Sequence, residues 1–404
     1  MTTQVTEAKN RAQSLVKLLR DQSNLPSDIR TLDRRWTQVE VAKLIGRSNS
    51  YISTKREQWL ADGVISPFDP DDKGIARWRL DQIRALQRHH HSGPWRHAEL
   101  DRPLILGFQN FKGGVGKSTQ AVIAAQWLVT KGYRVLLVDG DPQASATSMF
   151  GLLPDHDVGE HETIVPFFNG ERDDLQYAIR KTYWDGLDLI PTNLVSYELE
   201  WGIAQQMLTA QSKEERDALT ELLRDGLDTV KDQYDIILVD SPPSLGTLSF
   251  NILKAVDALL IPTPARVLDF TSTAQYLSMV DRVLGEIRQE PFAFFGFVST
   301  LYEGRVISGK ENTQQWLNSL MQEAFGDNML REPMRRVKAV ENAVSELKSV
   351  LEERRPDSSV MEMVDGWMEE IELMIMSTWR SKATAVHERR QAMAEKRIER
   401  KESE

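Results

Sequence analysis

Between residues 103 and 300 the chain repeats one pattern: an apolar run of five or six residues, then a stretch long enough for a helix. The runs are Leu104–Phe108, Arg134–Asp139, Leu187–Pro191, Asp235–Asp240, Ala258–Pro262 and Phe294–Ser299. Runs this continuous, rich in Val, Ile and Leu, mark strands covered on both faces. The helix-length spacers between them, the first over Lys117–Thr130, imply right-handed crossovers. The pattern therefore predicts an α/β fold with a mostly parallel, doubly wound sheet.

The flanks read differently. Residues 1–30 suggest a helix, with apolar positions at Ala12, Leu15, Leu18 and Leu19 and a break near Asn24-Leu25-Pro26. Residues 31–97 form a compact segment with helices of their own, and His89-His90-His91-Ser92-Gly93-Pro94 reads as a solvated junction. Residues 340–404 are helical in pattern. Val360–Trp379 is amphipathic and Met-rich, as a packed or dimer-facing helix would be, and the final RRQAMAEKRIERKESE is too polar to need a packing partner. These shifts divide the chain at 1–30, 31–97, 98–350 and 351–404.

Within the second segment, Thr37 and Glu40 have the spacing of a capping box ahead of Val41, Ala42 and Leu44. Gly46 then breaks the helix, and Ser48 or Asn49 caps another running to about Leu60. Helix, short glycine turn and helix make a helix-turn-helix, the alternative being a helical dimerisation domain. The second helix should expose Ser48, Asn49, Ser50, Tyr51, Ser53, Thr54, Lys55 and Arg56 beside a core edge of Ile52, Trp59 and Leu60. Short hydrogen-bonding side chains mixed with cations suit base edges and flanking phosphates. Asp69–Gly74 followed by Ile75–Leu80 resembles a wing hairpin, with Arg77 and Arg79 placed for backbone contact.

Charge sharpens that picture. The 404 residues carry a net charge of −10, yet residues 1–100 hold 17 Lys/Arg against 12 Asp/Glu, a basic front end on an acidic body. Cysteine is absent, which excludes disulfides, iron–sulfur clusters and thiolate metal sites. No stretch has signal-peptide or membrane-spanning character, so a cytoplasmic protein without a membrane partner is expected.

The chemistry centres on Phe111-Lys112-Gly113-Gly114-Val115-Gly116-Lys117-Ser118-Thr119, between the first strand and the first helix of the sheet domain. Glycines there let successive N–H groups converge on phosphate oxygens at a helix N-terminus, with Lys117 for the β- and γ-phosphates and Ser118 for Mg²⁺. The loop is one residue tighter than the usual phosphate-loop spacing. KGGVGKST resembles the deviant Walker A motif of the ParA/MinD group of P-loop NTPases, whose second, signature lysine would here be Lys112, preceded by the usual Asn110. The resemblance covers about residues 103–350. Val138–Gln143 resembles the family's D-x-D-P-Q segment, implying that Asp141 orients the attacking water and Asp139 supports the Mg²⁺ shell. Ile237–Pro243 resembles a Walker B strand with Asp240 holding Mg²⁺. Ile261-Pro262-Thr263-Pro264 resembles the segment passing the adenine, or is a plain strand-end turn.

The resemblance implies slow ATP hydrolysis to ADP and an ATP-bound homodimer in which Lys112 reaches the partner's phosphates, with a DNA-bound filament as an open alternative. The front segment resembles the winged helix-turn-helix of larger ParA proteins of plasmid partition, with residues 1–30 in the position of their dimerising helix. It implies operator binding, a ParB-like partner, nucleoid association and non-specific DNA contacts on the body. For these, Arg331, Arg335, Arg336 and Lys338, with Arg305 in a nearby loop, are the best cluster, or else a solvated face. A MinD-like spatial regulator is the rival, although the tail KRIERKESE lacks a membrane-binding face. A nucleotide-responsive transcription factor is another. An electron-transferring iron protein is excluded by the missing cysteines.

Overall fold

The computed structural model describes residues 2–22, 30–69, 77–287, 290–303 and 313–403. Asn24-Leu25-Pro26, most of the wing hairpin and Arg305 lie outside the described residues.

Seven strands form one sheet: β1 (Leu104–Phe108), β2 (Val135–Asp139), β3 (Arg180–Lys181), β4 (Leu187–Ile190), β5 (Ile236–Asp240), β6 (Ala258–Pro264) and β7 (Phe294–Thr300). Their order is β3-β4-β2-β5-β1-β6-β7, parallel throughout except for β3, which pairs antiparallel with β4 at the edge. All six apolar runs are strands. Among the described residues, β3 alone, two polar residues with no apolar pattern to announce them, escapes a reading of the sequence.

Alternation within each run sorts side chains onto two cores. Leu104, Leu106, Phe108, Val135, Leu137, Ile236 and Leu238 face one apolar cluster; Ile105, Leu136, Val138, Ile237 and Val239 face the other. The first is closed by helix Lys117–Lys131 and by helix Ser358–Ser377, which buries Val364, Trp367, Met368, Ile371 and Ile375. The Met-rich C-terminal stretch is thus a packed helix. Helices Lys213–Asp228 and Thr247–Ala255 cover the second cluster.

Register sets the site. Phe108 pairs with Asp240 and Asp139 pairs with Asp240, so the C-terminal ends of β1, β2 and β5 finish level. β1 sits where successive connections go to opposite sides, the switch point at which open α/β sheets form their crevice.

The front segment holds α1 (Thr2–Gln22), α2 (Gln38–Ile45), α3 (Asn49–Ala61) and α4 (Leu80–His89). Trp36 and Trp78 exchange two backbone hydrogen bonds of 2.9 Å, which ties the start of α2 to the approach of α4. The histidine junction differs from expectation. His89 belongs to α4, and His90 packs edge-on against Trp59 and Tyr51 at ring-centroid distances of 5.4 and 5.8 Å. An imidazole that fills a gap between two rings is part of the packing, not a solvated linker. Arg84 and Gln87 of α4 then reach the end of the phosphate-loop helix, α5 (Lys117–Lys131).

Candidate nucleotide site and nucleic-acid interface

β1 ends at Phe108 and the chain turns over residues 109–116 into α5. Asn110 is buried and braces the turn. Its amide nitrogen donates to Pro262 O at 2.9 Å and Thr273 Oγ1 at 3.3 Å, and its Oδ1 accepts the Lys112 N–H at 3.1 Å. Asn110, expected among the nucleotide contacts, therefore works as scaffold. Gly114 and Gly116 adopt φ of +73° and +94°, a left-handed backbone that a side chain would strain. Between them Val115 is buried as the loop's apolar anchor. Gly113 and Gly114 stay exposed, and Ser118 and Thr119 are half-buried in the first turn of α5.

Lys117 is buried, and its ammonium donates back to the Lys112 carbonyl at 3.4 Å. Burial lowers its pKa, opposed by the charges of Asp240 and Asp141. The resulting cation sits over a loop of backbone donors at a helix N-terminus, the arrangement that receives polyphosphate.

Three carboxylates complete the floor. Asp139 is fully buried: Oδ2 accepts the N–H and hydroxyl of Thr147, both at 2.7 Å, and Oδ1 accepts the Asp141 N–H at 3.2 Å. It shapes the loop that presents Asp141, and that use leaves it less suited to a metal shell than its motif implies. Asp141 Oδ1 accepts the Gln143 N–H at 3.0 Å. Both oxygens of Asp240 are buried without a hydrogen-bond partner of ordinary geometry. Burial pushes the pKa of Asp240 well up, the charge of Asp139 adds to the rise, and the Ser118 hydroxyl and Lys117 oppose it. Asp139 and Asp141 are raised by the same desolvation. A desolvated carboxylate facing a serine hydroxyl is a hard oxygen donor set that fits Mg²⁺.

Two expectations at the rim change. Pro262 and Thr263 lie inside β6, paired with Val298 and Ser299 and fully buried, so they present no surface to an adenine. The chain surfaces only at Arg266, Val267 and Leu268. Lys112 is ion-paired with Asp269 of its own chain, a partner on helix Val267–Ile287 that no local pattern in the sequence announces.

In the front segment the capping box is present: Thr37 Oγ1 accepts the Glu40 N–H at 3.3 Å and Glu40 accepts the Thr37 N–H at 2.7 Å. Gly46 takes φ +65° to end α2, and Ser48 caps α3 through the Tyr51 N–H. Asn49, Ser50, Ser53 and Thr54 are exposed along α3. Tyr51 is half-buried against Trp59, so its ring belongs to the core edge. Lys55 and Arg56 are half-buried, held by Gln58 at 2.9 Å and Glu57 at 3.0 Å. Arg77 is half-buried. Arg79 departs from its expected role. Its guanidinium is shared among Asp69, Asp81, Ser66 and the Pro67 carbonyl at 2.6 to 3.3 Å, which fixes it inside the module.

On the body, Arg331, Arg335 and Lys338 are exposed. Arg336 is bound to Glu341 at 2.6 Å and Glu303 at 3.3 Å, which cancels much of the charge it was expected to offer to DNA.

A family model described as an AAA domain matches residues 104–290, the stretch from β1 to just before β7. Among curated proteins, SopA of Escherichia coli (strain K12) is 31% identical over 332 residues, spanning 81% of this chain and 82% of its own. The chain belongs to the ParA-type partition ATPases. A chromosome partitioning protein ParA of Caulobacter vibrioides is 32% identical over 203 residues, covering 50% of this chain and 70% of the relative. A solved structure titled Partition Protein shares the fold, with a TM-score of 0.63, 21% identity and coverage of 92% of this chain and 98% of that one. Its coverage extends the likeness of fold beyond the ATPase sheet of this ParA-type chain.

Proposed function

We propose that this protein is a DNA partition ATPase that binds ATP with Mg²⁺, dimerises on it and resets by hydrolysis. The observation that carries the reading is the convergence of buried Lys117, the Gly114–Gly116 loop and the orphaned Asp240 carboxylate at the level ends of β1, β2 and β5. The loop N–H groups and Lys117 bind the triphosphate, and the N-terminus of α5 adds its dipole. Ser118 and Asp240 would hold Mg²⁺, which neutralises phosphate charge when bound. Asp141, carried on the loop that Asp139 fixes, orients the attacking water.

Lys112 supplies the second cation. In the single chain it is neutralised by Asp269, and in the dimer it would exchange that carboxylate for the partner's γ-phosphate. Helix α1 leaves Val5, Leu15 and Leu18 exposed, which favours its use as a second dimer contact. α3 offers Asn49, Ser50, Ser53 and Thr54 to an operator, through which the protein represses its own operon. Arg331, Arg335 and Lys338 would hold DNA without sequence preference while a centromere-binding, ParB-like partner stimulates turnover. The described helices include none long and apolar enough to cross a membrane, in keeping with a cytoplasmic, nucleoid-associated protein.

The test is a pair of variants. Lys117→Ala is expected to abolish ATP-dependent dimerisation in light scattering. Asp141→Ala is expected to keep the dimer and slow turnover by about 10²-fold. Unchanged turnover in Asp141→Ala would remove the water-orienting role.

A further inference from the structure

Helix Ser196–Thr209 follows the loop after β4 and runs past the mouth of the site. Leu199 and Ile203 anchor it in the core, while Trp201 stands 80% exposed on its outer side. Tyr197, one turn before Trp201, takes a hydrogen bond through its hydroxyl from the Gln143 side chain, two residues beyond Asp141. Glu200, three residues after Tyr197 on the same face of the helix, lies against Gly246 and Thr247 in the segment that follows Asp240.

Four observations meet at Glu200. Its backbone carbonyl accepts the Thr247 hydroxyl at 3.2 Å. Its carboxylate lies near the Leu248 N–H, at the first turn of helix Thr247–Ala255, which holds down a pKa that burial raises. Its Oε1 is buried and has no hydrogen-bond partner in the structure. It lies against Gly246, where an added Cβ would collide with that same oxygen. Glu200 is half-buried, and leaving its one buried oxygen without a partner, within the field of Asp141, costs stability.

We propose that Glu200 is a positioning residue for ATP hydrolysis. It pins the Ser241–Gly246 loop so that Asp240 and Asp141 keep their places relative to the phosphate loop. One helix thereby grips the loops after both β2 and β5, through Tyr197 and Glu200. The proposal rests on the hydrolytic reading above and adds a residue outside the three motifs.

Two independent changes displace the carboxylate: Glu200→Ala removes it, and Gly246→Ala fills its seat. Gly246 has φ −91°, which any residue adopts, so alanine there acts through the collision alone. Turnover of magnesium ATP with linear duplex DNA should fall by between about tenfold and a hundredfold in each variant, with KM within about twofold of wild type. The double variant should be no slower than the worse single one, because both break the same contact. Glu200→Gln, which keeps an acceptor for Leu248, should recover part of the loss. Wild-type kcat in both single variants, a loss confined to KM, or multiplicative losses in the double variant would overturn the assignment. A wild-type protein without turnover would instead sink the hydrolytic reading, and this inference with it.

Discussion

Asp240 shows how a single residue carries a cost that no contact in the described structure offsets. Its oxygens are buried and unpartnered, and desolvation together with Asp139 raises its pKa far above the ordinary carboxylate range. A group whose folded-state pKa is raised stabilises the fold most below its unfolded value of about 4 and loses that contribution as pH rises through the folded value. Nucleotide-free Asp240→Asn should therefore melt above wild type at pH 8, with the gap closing toward pH 4. Thermal melts across that range check it, and a pH-independent gap would contradict the electrostatic origin. The DxDPQ and Walker B patterns pointed to these carboxylates, but which of them is saturated and which is left bare depends on Thr147. That residue lies eight positions past Asp139 and meets it only through the fold.

At the scale of elements, α5 has an end that the phosphate-loop motif does not mention. It runs about 22 Å at 1.5 Å per residue, from the glycine loop to Gly132. The last carbonyls of such a helix lack intrahelical partners. Here the front segment adds donors to them and to the turn that follows: Arg84 donates to Val129 O at 2.8 Å and Tyr133 O at 2.9 Å, Gln87 to Thr130 O at 2.9 Å, and Trp95 to Gly132 O at 2.7 Å. Arg84 is buried and also ion-paired with Asp185 at 3.1 Å. Arg84→Ala should cost about 3 kcal/mol in urea unfolding, from lost charge-assisted bonds and stranded carbonyls. Arg84→Lys should not rescue it, because one ammonium cannot reproduce the guanidinium fork. In the sequence α4 falls within the 31–97 segment read as a winged helix-turn-helix. Its basic and amide side chains cap an ATPase helix more than 40 residues downstream.

Across the whole molecule, Glu352 binds segments that the sequence pattern assigned to different parts. Its oxygens accept Arg30 at 2.9 Å, Tyr183 at 2.8 Å, Gln126 of α5 at 3.1 Å and the Ser349 N–H at 3.0 Å. Arg30 also donates to Leu347 O at 2.8 Å and lies 5.2 Å from the centre of the Tyr183 ring. Burial raises the Glu352 pKa, with Arg30 pulling against it. Removing one partner of a buried ion pair strands the other, so Glu352→Ala should lose about 3–5 kcal/mol of stability, measured by denaturant titration. The same variant should loosen the front segment, read as faster amide exchange in α2 and α4. Buried apolar residues of that segment, Trp36, Ile52, Trp78 and Leu86, belong to one contiguous cluster with Leu104 and Phe108 of β1. Composition shifts along the chain therefore mark changes of element type without marking breaks in the core.

The amino-acid pattern alone determined the six apolar strands, their burial on both faces, the phosphate loop, the capping box and the carboxylates at strand ends, while the polar edge strand β3 left no such trace. Each is written in residues adjacent in sequence or spaced by a helical or strand period. What tertiary structure decided is pairing at a distance: Lys112 with Asp269, Asn110 with Pro262 and Thr273, His90 between Trp59 and Tyr51, Arg84 on α5, and Glu200 against Gly246. The physical reason is that a buried charge or amide must find a partner wherever packing brings one, and no local periodicity encodes which segment that will be.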